Sequence, residues 1–228
     1  MKYLLLILFS ALSLTPFAQK REVPVNNFSE LSFGVPGRLY LTQGDENKVV
    51  IDCSDATFDK LTFDERGREL LIRPRDRGWN WRGFGGRDIT IYMVMKDIEA
   101  IALSGSGDLI GENEFKTGDL EVVLSGSGNL EIEAQSNDLD LKISGSGNIE
   151  MAGIARDVSA RISGSGKIEA EKLKVRSLDA KISGSGNVYI TAKEEIYASI
   201  SGSGNVYYKG DPDRVQSNSS GSGKIRKM

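Results

Sequence analysis

Beyond residue 100 apolar residues recur at every second position. Leu139, Leu141, Ile143, Ile149 and Met151 share one parity, and Gly145 and Gly147 fall on it as well. The same alternation runs through Leu120, Val122, Leu124, Gly126, Gly128, Leu130 and Ile132, and through Leu178, Ala180, Ile182, Gly184, Gly186, Val188 and Ile190. A period of two is that of a β-strand with one buried face. On an extended chain both glycines of each copy would point inward, at a corner where two walls come too close for a Cβ. The serines between them would point outward and stack in columns.

These glycines belong to a repeat. Ser-Gly-Ser-Gly begins at Ser104, Ser125, Ser144, Ser163, Ser183, Ser201 and Ser220, so successive spacings are 21, 19, 19, 20, 18 and 19 residues. A flexible linker would not return on a near-fixed period with Leu or Ile before six of the seven copies. Two short strands and two bends fit such a period, a strand and a helix do not, and a leucine-rich pattern is absent. The expected fold is all-β: a parallel β-solenoid, a single-stranded β-helix with rungs of about 19 residues over 101–228. In the last rung Ser217 and Ser219 occupy inward positions and Lys227 ends the pattern, as expected of a polar cap.

The region 19–100 also reads as strands, around Leu31 to Phe33, Arg38 to Thr42, Lys48 to Cys53, Leu61 to Phe63, Leu70 to Arg73 and Ile89 to Met95. Gln43 to Asn47 and Asp64 to Gly67 read as hairpins or coil corners. These strands are expected to continue the stack or cap its open end, with no linker before the repeats.

Residues 1–18 carry Lys2, an apolar run from Leu4 to Leu14, and Thr15-Pro16-Phe17-Ala18, which predicts a secretory signal cleaved after Ala18. The run is too short to span a bilayer, for which about 20 residues are needed. No later segment qualifies, so the mature chain is expected to be exported to the periplasm or cell surface without a transmembrane segment. Cys53 is the only cysteine, which excludes an intramolecular disulfide, and its parity with Val49 and Ile51 predicts a small buried hydrophobe. A formal net charge of -3 gives no footprint for nucleic acid.

The chain has no histidine, which excludes Ser-His-Asp, Cys-His and histidine-based metal sites. Glu131, Glu150 and Glu169 recur at one rung position, and Lys142, Arg161 and Lys181 at another. Charges that obey the repeat read as solvated faces, because a catalytic cluster would break it. The mostly asparagine column after the motif, with Asp108 its only aspartate and lysine at 167 and 224, argues for side-chain ladders and against a calcium repeat. No cofactor or metal is expected.

One segment departs from the strand pattern. Between residues 75 and 87 lie Arg77, Trp79, Trp81, Arg82, Phe84 and Arg87 among glycines. Aromatic rings flanked by arginines suit a ligand-binding surface, and the same rings could instead plug an apolar edge. Tyr189 and Tyr207, one rung apart on the outward parity, form a second candidate and could equally stabilise the sheet.

The serial Ile/Leu-Ser-Gly-Ser-Gly-Asn-Ile/Val copies, together with Val35-Pro36-Gly37-Arg38-Leu39-Tyr40-Leu41 and Gln43-Gly44-Asp45, resemble a family of exported Bacteroidetes domains known as putative auto-transporter adhesins with a head GIN domain. That resemblance implies a β-solenoid of the cell envelope, adhesin-like, with no catalytic residues. The chain stops at Lys227-Met228 without the length of an outer-membrane barrel, so self-transport is not expected. The function expected is a non-enzymatic adhesin-like binding or structural module whose partner is an envelope protein or a glycan. Two alternatives stand beside it: a carbohydrate-active enzyme on a β-helix scaffold, and an envelope scaffold that self-associates.

Overall fold

A computed structural model describes residues 19–76 and 89–228 of the chain. The export segment read at 1–18 and the arginine- and tryptophan-rich segment at 77–88 lie outside the described residues. Strands dominate, and they join one hydrogen-bonded sheet that coils on itself as a parallel β-solenoid of about 7 turns with ~19-residue spacing.

Each turn has two walls, a leading strand that runs into the Ser-Gly-Ser-Gly motif and a trailing strand that leaves it. Asn129–Gly145, Asn148–Gly164, Lys167–Gly184 and Asn187–Gly202 each extend from one motif to the next, so one strand supplies the trailing wall of its own turn and the leading wall of the following one. Neighbouring copies pair in parallel and in register, with Ser144 opposite Ser125 and Ser163, and Ser183 opposite Ser163. The residue before each motif and the first apolar residue after it stack into core columns. Ile143, Ile162 and Ile182 form part of one, and Leu130, Ile149 and Ile168 part of the other, all at most 2% exposed. Burying such a side chain is worth roughly 1.5–3 kcal/mol before entropy is deducted.

The two glycines of the motif do different things, which corrects the expectation that both point inward. The second, such as Gly166, is buried, and a Cβ there would lie 2.5 Å from Ile143 Cγ2 and 2.8 Å from the Gly147 carbonyl oxygen. The first is only half-buried and sits at positive φ, 125° at Gly164. Its Cβ would point along the stack, 2.4 Å from the Gly145 carbonyl oxygen. The chain turns at this residue, so strand parity does not carry through it. From Gly126 to Gly202 the carbonyl of the first glycine accepts from two amides of the next turn, as Gly145 does from Ser165 N at 2.9 Å and Gly166 N at 3.0 Å. The corner amides are thereby spent within the stack and form no open anion nest.

The strands before the repeats lie close to where the alternation puts them, but their spatial order departs from their chain order. Glu30–Phe33 and Arg38–Gln43 pair in parallel with Ala100–Gly105 and Asp108–Lys116 and so form the turn next to the repeats. Glu69–Pro74 and Thr90–Met95, later in the chain, form the turn beyond it. Antiparallel strands close that end: Leu61–Arg66 on Glu69–Pro74, and Lys48–Cys53 on Thr90–Met95, with Gln19–Val23 outermost. Gln43 to Asn47 is therefore not a hairpin, because Thr90–Met95 lies between the strands it connects, whereas Asp64 to Gly67 leads into a hairpin with Gly67 at φ 63°. Cys53 is 2% exposed, and burial pushes its thiol pKa up, so it acts as a core residue of the cap.

At the opposite end Ser217 and Ser219 stand in register with Ala198 and Ile200 and are exposed, and Ser219 Oγ donates to the Gly223 carbonyl at 3.0 Å. The last turn thus presents a polar inner edge, as its sequence implies.

Candidate functional site

Outward positions of a parallel, in-register stack form columns, and on the leading wall three columns run side by side. The first contains Asp119, Asp138, Asp157, Ser177, Glu195 and Arg214; the second Glu121, Asp140, Ser159, Asp179, Tyr197 and Gln216. The third includes Lys142, Arg161 and Lys181. A groove of about 1010 Å³ follows the first two columns across six turns, from Asp119 and Glu121 to Arg214 and Gln216. At about 4.8 Å per strand it is roughly 24 Å long.

Like charges stacked a strand apart repel, and the neighbouring columns compensate them. Lys142 Nζ lies 2.8 Å from Asp140 and 2.5 Å from Glu121, and these two hydrogen bonds push its pKa up. Arg161 reaches back one turn to Asp140 at 2.7 Å, and Lys181 pairs with Asp179 at 3.3 Å. On the other rim Arg156 bonds Asp157 at 2.9 Å and Arg176 grips both oxygens of Asp157 at 2.8 Å, and at the end of the first column Arg214 lies 3.3 Å from Glu195. The groove therefore has a carboxylate floor between two cationic rims. Individually such exposed pairs add about 0–1 kcal/mol, so their main effect is to fix side-chain positions and cancel charge.

Asp157 is the most constrained of them. Hydrogen bonds from Arg176 first, then Ser177 and Arg156, lower its pKa to about 2. Because the folded value lies below the ordinary 3.8, its contribution to stability is present above pH 3.8 and is lost as the pH falls through about 2. Arg176→Ala is expected to bring the Asp157 pKa back toward the ordinary carboxylate range, followed by carboxylate carbon shifts in an NMR titration. An unchanged Asp157 titration in that variant would assign the effect to Ser177 and Arg156 instead.

On the trailing wall the glutamates expected to align do so: Glu131, Glu150 and Glu169 are in register, followed in the same column by Tyr189 and Tyr207. The two tyrosine rings stack with centroids 4.8 Å apart, and Lys167 Nζ lies 5.1 Å from the centroid of Tyr189. The neighbouring tyrosine and the lysine thus lie against Tyr189, and one face of Tyr207 lies against Tyr189. Next to them the asparagine column forms ladders, Asn129 donating to Asp108 at 2.8 Å and Asn205 to Asn187 at 3.2 Å. Among the described residues no cluster of three or more acidic or thiol side chains is set to hold a metal ion.

The other sequence candidates, Arg77, Trp79, Trp81, Arg82, Phe84 and Arg87, lie outside the described residues. The strands that flank their segment, Glu69–Pro74 and Thr90–Met95, belong to the leading and trailing walls of one turn. The leading-wall groove was not singled out from the sequence. The signal available was Tyr197, an aromatic residue where other turns carry aspartate, glutamate, serine or glutamine.

Residues 27–212 match the family described as "Putative auto-transporter adhesin, head GIN domain". The chain belongs to this family. A putative adhesin from Bacteroides fragilis superposes with a TM-score of 0.87 at 24% identity, covering 94% of this chain and 98% of that one. A protein from Parabacteroides distasonis named as a putative lipid binding protein has a TM-score of 0.75 at 26% identity, covering 93% and 97% of the two chains. A putative adhesin from Parabacteroides merdae has a TM-score of 0.72 at 22% identity, covering 93% and 96%. No curated protein matches the chain. The family match takes in residues 27–212, and the three solved structures share the fold over 93–94% of this chain.

Proposed function

We propose that this head GIN domain protein is an exported, non-enzymatic, adhesin-like binding module of the bacterial envelope, acting in the periplasm or at the cell surface. The observation that carries the reading is the six-turn groove, whose polar side chains repeat from turn to turn on a rigid stack. Such a surface suits an extended partner better than a compact substrate. A general acid or base needs a pKa near the working pH. In the groove the resolved shifts go the other way, Asp157 down and Lys142 up, so both groups stay charged near neutrality. Residues 1–18 serve as the export signal in this reading, supported by the basic start, the apolar run and Ala18. Beads coated with residues 19–228 should adhere to envelope preparations, and intact cells should expose or retain the chain in a protease-shaving assay. Beads that adhere to nothing would remove the binding role.

The segment with Trp79 and Trp81 is proposed as a further contact, with Arg77, Arg82, Phe84 and Arg87 around it, because large aromatics beside arginines are enriched at energetic centres of interfaces. Tyr189 and Tyr207 would contribute through their hydroxyls. Trp79→Ala with Trp81→Ala is expected to weaken bead adhesion while leaving the β circular-dichroism signal and the unfolding midpoint nearly unchanged. A markedly lower midpoint would make the segment a structural plug and end its candidacy.

A further inference from the structure

Resting on the binding-module reading, we propose that the leading-wall groove takes an extended, uncharged glycan chain laid along the stack, with Tyr197 as the platform for one of its sugar rings.

Recognition here must come from side chains. The exposed surface is the face of a sheet whose backbone groups are already paired from turn to turn, so a peptide cannot add to it as a strand, which requires an open edge. The side chains on that face are mainly carboxylates, guanidinium groups and ammonium groups. A carboxylate accepts from two neighbouring hydroxyls and a guanidinium donates to two acceptors, which matches the vicinal hydroxyls of a sugar.

Charge decides the polymer class. Across the two floor columns and both rims, seven carboxylates meet six cations. The ion pairs at Asp140, Asp157, Asp179 and Glu195 leave little net field. A polyanion gains nothing from such a surface and a polycation would have to break its pairs, whereas an uncharged polyol can use the remaining lone pairs and N–H groups with the pairs intact. The length of roughly 24 Å favours a chain over a single small ligand, which would need only one or two turns.

Tyr197 breaks the repeat at one place. Its column carries carboxylates, a serine and a glutamine in the other turns, yet Tyr197 is 43% exposed as a residue and lines the groove. An exposed aromatic side chain beside hydrogen-bonding groups suits the C–H face of a pyranose ring, with polar contacts at the rim. In the two turns before it, Ser159 Oγ and Asp179 Oδ1 are buried from solvent and have no protein hydrogen-bond partner. A sugar hydroxyl at that position would give both a partner with a modest side-chain rotation.

The test uses the exported chain, affinity electrophoresis and titration calorimetry against soluble mannan, xylan, mixed-linkage β-glucan and galactan, with polygalacturonate and poly-lysine as charged controls. At least one uncharged polymer should bind with nearly the same affinity at low and high salt. Tyr197→Ala should weaken that binding about tenfold, Tyr197→Phe should keep it, and neither should shift the unfolding midpoint. If none of the four binds while coated beads still adhere, the glycan assignment is wrong and the binding-module reading stands. If beads and polymers both fail, both readings fall. Binding confined to a charged control, or indifferent to Tyr197→Ala, overturns the proposal.

Discussion

Gly164→Val is expected to lower the unfolding free energy by roughly 3–5 kcal/mol, while Ser165→Ala beside it costs less than about 0.5 kcal/mol. Two separate costs add at Gly164. Its φ of 125° lies where L side chains are strained, worth roughly 1–3 kcal/mol. The new Cβ would also meet the Gly145 carbonyl oxygen at 2.4 Å, and overpacking costs a similar amount. That oxygen cannot move aside, because the Ser165 and Gly166 amides hold it, and the same bond is repeated in the next turn by Ser185 and Gly186 on Gly164. Gly166→Ala should fall between the two, since part of its clash is with the Ile143 side chain, which can change rotamer. Urea unfolding of the three variants checks the order. Equal midpoints for Gly164→Val and Ser165→Ala would refute the corner geometry.

The glycines also show what alternation can and cannot tell. Parity along Leu139, Leu141 and Ile143 correctly predicts an inward row, because those residues lie on one continuous strand. It then assigns Gly145 to the same face, and fails, because the chain turns there and the Cβ direction swings along the stack. Strand positions before the repeats are legible for the same reason that the core rows are. Their order in space is not. Which turn Glu69–Pro74 and Thr90–Met95 join depends on pairings between segments far apart in the chain, and a period of two is identical for either neighbour. The strand Gln19–Val23 escaped notice because it has a single buried position, Val23, and alternation needs several.

The groove was hidden for a related reason. Lys142, Arg161 and Lys181 can be aligned from the repeat alone, but their carboxylate partners sit two positions earlier on the strand or one turn back. The resulting compensation appears only once the wall's outward columns are set side by side. Tyr189 and Tyr207 form the expected column, and their mutual stack takes up one face of each ring. Exposure, which distinguishes Tyr197 from them, is set by what neighbouring turns supply above and below the ring.

The first repeat turn, two residues longer than the usual spacing, leads to the second large effect: Phe115→Ala should cost about 3–5 kcal/mol. Residues 111–113 oppose the single residue Ile132, and the Asn113 side chain bonds the Gln43 backbone twice, its Oδ1 accepting from Gln43 N and its Nδ2 donating to the Gln43 carbonyl, both at 2.9 Å, while Glu112 accepts from Thr42 at 2.9 Å. The register resumes at Glu114 opposite Glu133, and Phe115 after it is fully buried and opposite Ala134. Its ring fills the space left by Gly111, whose added Cβ would lie 3.1 Å from Phe115 Cζ. Gly111 is opposite Leu41, and Leu41 is opposite Met93, so it is the empty member of a column of large side chains. Phe115 thus replaces a missing leucine from four residues away. Gly111→Leu alone should destabilise by crowding the ring, yet in the Phe115→Ala background it should refill the cavity. The double variant should be more stable than the sum of the single changes predicts by at least about 1 kcal/mol. Additivity within about 0.5 kcal/mol in a double-mutant cycle would mean that the two residues do not share one space, and that the long first turn is an insertion without a packing role.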